Sequence, residues 1–215
     1  MSCNYDSDCE YNDCGWWGCC TQESDVLRNV QSGDAILIDL RGAGFPLTSV
    51  QDGVSFDFHG NNRPLQIAWT ARDADAGFLV LDRNHSGRIE SGAKLFSSVS
   101  PQPGGREGRS GFLALAVFDQ PANGGTHDGW ITARDAVYSQ LRIWVDKNHN
   151  GKADPGELLT LAQAGVKAIS VNPTSSTWTD VYGNRFQSKG HIVWQKPVNG
   201  RTSAAIYDVV LAGGR

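Results

Sequence analysis

Beyond Cys20 this 215-residue chain contains no cysteine, so its main body cannot be cross-linked to itself by disulfides. Long apolar runs are missing as well. The longest, Phe112–Phe118 and Ile206–Ala212, fall far short of the roughly 18 residues that cross a bilayer as a helix, so no membrane span is expected. Nor is there a basic excess: 19 Lys and Arg stand against 23 Asp and Glu, for a net charge of −4. That balance excludes a general phosphate-binding surface, and with it nucleic acid as a partner. The sequence has no P-loop, no HExxH, no dinucleotide fingerprint and no nucleophile elbow. Five histidines (His59, His85, His127, His149 and His191) could serve acid–base chemistry. Two of them, His85 and His149, fall at loop positions whose side chains normally face solvent. No catalytic residue is named, and no enzyme is expected.

What is present is uneven. All five cysteines (Cys3, Cys9, Cys14, Cys19 and Cys20) crowd the opening stretch beside Trp16 and Trp17. This reads as a small oxidised knot and implies a secreted, extracellular protein, with two disulfides and one thiol left over. A zinc knuckle fits less well, because two separated CxxC pairs and a nearby His are absent. No charged segment followed by an apolar one precedes Cys3, so a leader is not visible.

Hydrophobic periodicity divides the chain into four stretches: a Cys-rich segment and connector (1–33), a β-rich half (34–110), a helical region (111–165) and a C-terminal β region (166–215). Strands are expected at Ala35–Leu40, around Val54–Phe58, at Leu65–Trp69 and at Phe78–Leu81. They resume at Ala168–Val171, Trp178–Tyr182, Phe186–Ser188, Ile192–Trp194 and Ile206–Leu211. Turns fall at Gly183-Asn184 and Val198–Gly200. A short helix is expected near Val26–Val30. Others are expected over Phe112–Phe118, over Val137–Val145 with Val137, Leu141 and Trp144 on one face, and from Asp154-Pro155 to Gly165. The fold class read from this pattern is α+β, with short strands at both ends flanking a central helix–loop–helix. Trp69, Trp144, Trp178 and Trp194 are assigned to core packing, and Trp16 and Trp17 to exposed contact with a protein or carbohydrate.

Among the 25 glycines, many belong to one recurring theme: Asp, a polar stretch with Gly or Asn, then an apolar residue. Copies begin at Asp39, Asp57, Asp82, Asp119 and Asp146. Any one copy is adequately explained as a turn. The last carries more. Counting Asp146 as the first of twelve positions places Asn148 third, Asn150 fifth, Gly151 sixth, Lys152 seventh, Asp154 ninth and Glu157 twelfth, the spacing of a calcium loop. A hard cation needs six to eight oxygens. Side chains at alternate positions, the Lys152 carbonyl and a bidentate Glu157 would supply them. The Asp82 copy matches through Asp82, Asn84, Ser86, Gly87 and Glu90, but its twelfth residue is Ala93 and the next is Lys94, so it reads as a weak or vestigial site. The copy at Asp119 retains Asp128, Thr132 and Asp135 after an insertion, Gln120–His127, and is a possible second site. Capping of a helix would explain Asp154 and Glu157, or Asp135, without a metal.

Phe112–Asp119, Asp128–Asp135, Leu141–Trp144, Asp146–Gly151 and Gly156–Leu158 together resemble a family of bacterial EF-hand-containing proteins, whose segments recur in large haemolysin-type secreted proteins. Ile38–Phe45, Gly53–Asp57, Ala68–Thr70 and Phe78–Asn84 are similar to the same family's N-terminal half. The resemblance implies calcium binding and no defined reaction; Arg41, Ala43, His59 and Lys94 stand where relatives carry acidic loop residues. The expected function is therefore calcium-ion binding in a structural or adhesive secreted protein. The rival is a calcium-dependent docking module of dockerin type, against which the extensive β sequence counts.

Overall fold

A computed structural model of the chain describes residues 33–103 and 109–214. Its centre is β1 (Gly33–Asp39), every residue of which is buried. Ile36 and Ile38 point into one apolar cluster while Ala35 and Leu37 point into another. A strand covered on both faces reads as a continuous apolar run rather than an alternating one. On one edge β1 pairs with β11 (Arg201–Leu211), in register from Gly33↔Leu211 to Ile38↔Ile206. On the other it pairs with β4 (Ala76–Val80).

The sheet extends past β4 to β6 (Arg142–Trp144) and β7 (Leu158–Thr160). Past β11 it extends to β10 (Arg185–Val198), β8 (Val166–Ser170) and β5 (Trp130–Thr132). A further strand, β9 (Thr174–Thr179), forms a hairpin with β10. All these pairings are antiparallel, and the sheet curls into a half-barrel. Strands from 34–110, 111–165 and 166–215 thus share one sheet. A separate ribbon, β2 (Val54–Phe56) and β3 (Leu65–Ile67), adds Val54, Phe56 and Ile67 to the Leu37 cluster. The helix α1 (Gly111–Ala116) caps its start with the Ser110 side chain and packs Phe112 and Leu115 into the Ile36 cluster.

The α+β architecture with a central helix–loop–helix is not what forms. Only α1 is an α-helix among the described residues, and it matches the expected Phe112–Phe118 helix, completed by a 3₁₀ turn over Val117–Asp119. Over Val137–Val145 the helical spacing is real for one turn, with Leu141 N donating to Val137 O at 3.1 Å. Residues 142–144 then extend into β6, because pairing with β4 satisfies their backbone and buries Ile143 and Trp144. At Asp154–Glu157 the expected helix start is a turn instead. Glu157 N donates to Asp154 O at 3.1 Å and Gly156 has φ +92°, the Pro-Gly pattern of a type II turn. Leu158–Thr160 continues as β7. The helix expected near Val26–Val30, the disulfide knot, and Trp16 and Trp17 lie outside the described residues.

A candidate cation-binding loop on a tryptophan core

Three of the Asp-led loops share one backbone solution. The Asp146 carboxylate accepts N–H bonds from Asn150 (3.1 Å) and Gly151 (2.8 Å), four and five residues on. Asp82 does the same with Ser86 (3.3 Å) and Gly87 (2.7 Å). Asp57 does so with Asn61 (3.1 Å) and Asn62 (2.8 Å). In each, the third and fifth residues after the Asp take positive φ: His149 and Gly151, His85 and Gly87, Gly60 and Asn62. Only Gly, Asn, Asp and His adopt this region with any frequency, which accounts for the recurring residue types. The shared theme is thus a carboxylate-capped loop. What fills each loop differs.

In the Asp146 loop the filling is carboxamide and carboxylate. The Nδ2 atoms of Asn148 and Asn150 both donate to Asp154 Oδ2, at 2.8 and 2.7 Å; led by the Asn148 bond, these hold the Asp154 carboxyl below its usual range. Glu157 reaches back across the loop. Its Oε1 accepts from Lys147 N at 3.1 Å and its Oε2 from Asp154 N at 3.1 Å. Lys152 N donates to Asn150 Oδ1 at 2.7 Å. Because the loop joins β6 to β7, with Val145 N bonded to Glu157 O at 2.9 Å, its frame is strand–loop–strand rather than helix–loop–helix.

Both end carboxylates are buried, Asp146 at 1% and Glu157 at 7% exposure, and both rest on indoles. Trp69 Nε1 donates to Asp146 Oδ2 at 2.8 Å, and Trp144 Nε1 lies 3.5 Å from Glu157 Oε2. The two rings meet edge-on at 5.5 Å, with Phe56 and Phe78 against them. Hydrogen bonds to a charged group contribute about 1.5–3 kcal/mol each, enough to make burial of Asp146 tolerable. His149 does not face solvent as expected. Its ring lies between two carbonyls, Nδ1 2.6 Å from Thr70 O and Nε2 2.7 Å from Asp52 O. Sequence reasoning missed both the indoles and this histidine bridge, because partners so distant along the chain leave no local spacing signal.

The Asp82 loop already holds a cation. Lys94 is almost fully buried, and its Nζ lies 2.7 Å from Asp82 Oδ1, 2.8 Å from Glu90 Oε2, 2.6 Å from Ser86 Oγ and 2.6 Å from Arg88 O. Burial opposes ionisation of Asp82 and Glu90, but the Lys94 ammonium outweighs it and lowers both. Asn84 completes the ring, 3.5 Å from Glu90 Oε1. The ammonium thus sits among Asp82, Ser86 and Glu90, three of the side chains expected to offer oxygens to a metal.

In the Asp119 loop the carboxylates serve the backbone. Asp119 accepts from Asp128 N at 3.2 Å and Gly129 N at 3.0 Å. Asp135 binds Thr132 and Thr126 through both their amides and hydroxyls. Burial raises the Asp135 carboxyl, but these four bonds lower it further. Asp128 pairs with Arg134. These residues are neighbours, and Asp119 and Asp135 accept backbone N–H bonds as Asp146 and Glu157 do; what sets this loop apart is the arginine side chain on Asp128. Among the described residues, no three carboxylate, imidazole or thiolate groups converge as a ready-made metal cluster. The Asp146 loop fits a cation through its mixed set: rotating the Asn148 and Asn150 carboxamides about their last torsion turns oxygen inward in place of nitrogen.

A family model for the SPM domain matches residues 36–212, from within β1 to just past the end of β11. The chain belongs to the SPM domain family. It does not belong to an EF-hand family, despite the Asp146 loop: the match is to SPM, and the loop's flanks are strands. The chain is also similar to the iron-regulated protein FrpA of Neisseria meningitidis serogroup C, at 33% identity over 138 residues. That match covers 64% of this chain and 12% of FrpA, so this SPM chain corresponds to a small part of its relative. No helix among the described residues is long and apolar enough to cross a membrane.

Proposed function

We propose that Asp146–Glu157 is a calcium site, and that this SPM domain is a calcium-stabilised structural module of an exported protein. One observation carries the reading. The Asp146 loop gathers Asp146, Asn148, Asn150, Asp154 and Glu157, and among the described residues no lysine or arginine side chain is hydrogen-bonded to theirs. The Asp82 loop, built on the same backbone, solves its charge problem with Lys94. A divalent ion would do for the first loop what the ammonium does for the second: relieve repulsion among carboxylates held together by the fold. Magnesium suits the loop poorly, because a bidentate Glu157 favours a coordination number above six. Three carboxylates imply an affinity of about 10⁻⁵–10⁻³ M, the range of weak sensors and extracellular modules.

Calorimetric titration with calcium chloride tests this directly. One site per chain is expected, with the heat abolished in Glu157→Gln and retained in Asp135→Asn. Trp69 and Trp144 lie against the ligands, so their fluorescence should change over the same concentration range. No heat and no fluorescence change up to about 10 mM calcium would dismiss the site.

A further inference from the structure

A second feature lies at the end of the sheet where β1, β6 and β10 finish. There a cleft of about 460 Å³ opens, within the size range of ligand sites. Leu40, Val145, Leu159 and Val198 contribute apolar lining, and Gln163 and Gln195 supply carboxamides. Three cations, Arg41, Lys147 and Lys196, line it against one acid, Asp75. A smaller hollow shares Val198 and adds Arg201 beside Trp194. On a protein of net charge −4, this concentrates positive charge on one concave surface.

We propose that this cleft binds an extended, carboxylate-rich peptide segment of a partner protein, its acidic side chains toward the cations and its apolar ones on the floor. Charge complementarity selects an acidic occupant. The distribution of the cations selects a peptide over a compact anion: they come from the ends of different strands and extend to Arg201, whereas a single phosphate or sulfate calls for donors converging on one point. Apolar residues beneath a charged rim match a chain that alternates the two.

The test is fluorescence anisotropy with a labelled heptapeptide alternating Asp or Glu with Leu, beside its Asn/Gln counterpart. Saturable binding is expected for the acidic peptide, weakening as salt rises. Reversing two rim charges in Arg41→Glu/Lys196→Glu should weaken it at least about tenfold. Lys167→Glu, an exposed charge on β8 outside the cleft, should leave it unchanged. Single variants Arg41→Gln and Lys196→Gln, with melting curves for each protein, separate lost binding from lost folding. Equal binding of the amide counterpart, indifference to the rim reversals, or no saturation to about 1 mM would each overturn the proposal.

Discussion

Two buried carboxyls stand side by side where β1 meets β11. Asp34 and Asp208 are diagonal neighbours in that ladder, since Asp34 pairs with Val210 and Ile36 with Asp208. Asp34 accepts both the Ser98 amide at 2.7 Å and the Ser98 hydroxyl. Asp208 accepts Gly111 N at 2.8 Å, while its Oδ1 has no donor among the described residues. Burial, and then the neighbouring Asp34 charge, push the Asp208 carboxyl up to about 8; burial raises Asp34 as well. Gln187 and Ser98 lie against the pair, and neither is a cation. A carboxyl that titrates higher folded than unfolded makes folding take up a proton. Its burial costs nothing below the ordinary carboxylate range, costs more as pH rises from about 4 to about 8, and costs a constant amount above that. Asp208→Asn, which removes the ionisation and keeps the shape, should therefore melt above wild type at pH 8 by at least about 3 °C, the shift of ~1 kcal/mol in a domain this size. The difference should vanish near pH 4; a constant difference from pH 4 to 8 would show that the pair holds no extra proton. Lys94 makes the opposite case, a buried cation whose removal strands acids. Lys94→Met should cost about 1–3 kcal/mol in denaturant unfolding, and a cost within error of zero would mean the ammonium is not what holds the Asp82 loop together.

At the scale of the element, the close approach of β4 to β6 depends on Gly77. A Cβ there would meet Trp144 O at 2.6 Å and Ile143 Cγ2 at 2.8 Å, so Gly77→Ala should push the strands apart and destabilise by about 1–3 kcal/mol. Chemical denaturation measures this directly, and an unchanged midpoint would show that the ladder yields. The strands themselves were legible. Ala35–Leu40, Phe78–Leu81, Ala168–Val171 and Ile206–Leu211 are apolar runs that a doubly covered sheet requires, and β1, β4, β8 and β11 fall on them. The helical spacing at Val137–Val145 and Asp154–Gly165 is realised only as single turns, one before β6 and one after β7, and strand pairing takes the residues between. Asp154 and Glu157 imitate a capping box in which the Glu157 side chain does reach the Asp154 amide, yet Pro155-Gly156 makes the segment a turn. Trp178 is expected in the core; it is 46% exposed, although it stacks 3.8 Å from the buried Phe186, its partner across the β9–β10 hairpin. That Asp146, Asn148, Asn150, Asp154 and Glu157 share one loop was readable from local spacing. Its support by Trp69, 77 residues away, was not.

Across the whole molecule, the Asp146 loop is bound to the central strands through the cluster that unites Trp69 and Trp144 with Leu37, Phe78, Phe186 and Val209. That cluster draws on β1, β4, β6, β10 and β11. An ion bound at the loop therefore acts on contacts that hold the sheet together, and its binding energy should appear as global stability rather than as local ordering alone. At a calcium concentration 100 times the dissociation constant, one site adds about 2.7 kcal/mol, or roughly 5–10 °C in melting temperature for a domain this size. The most direct measurement is thermal melting of wild type and Glu157→Ala, each with calcium and with chelator. Wild type should melt higher by that amount with calcium, and Glu157→Ala should lose most of the gain. An equal calcium response in the two proteins would place the ion elsewhere and contradict the assignment of Asp146–Glu157.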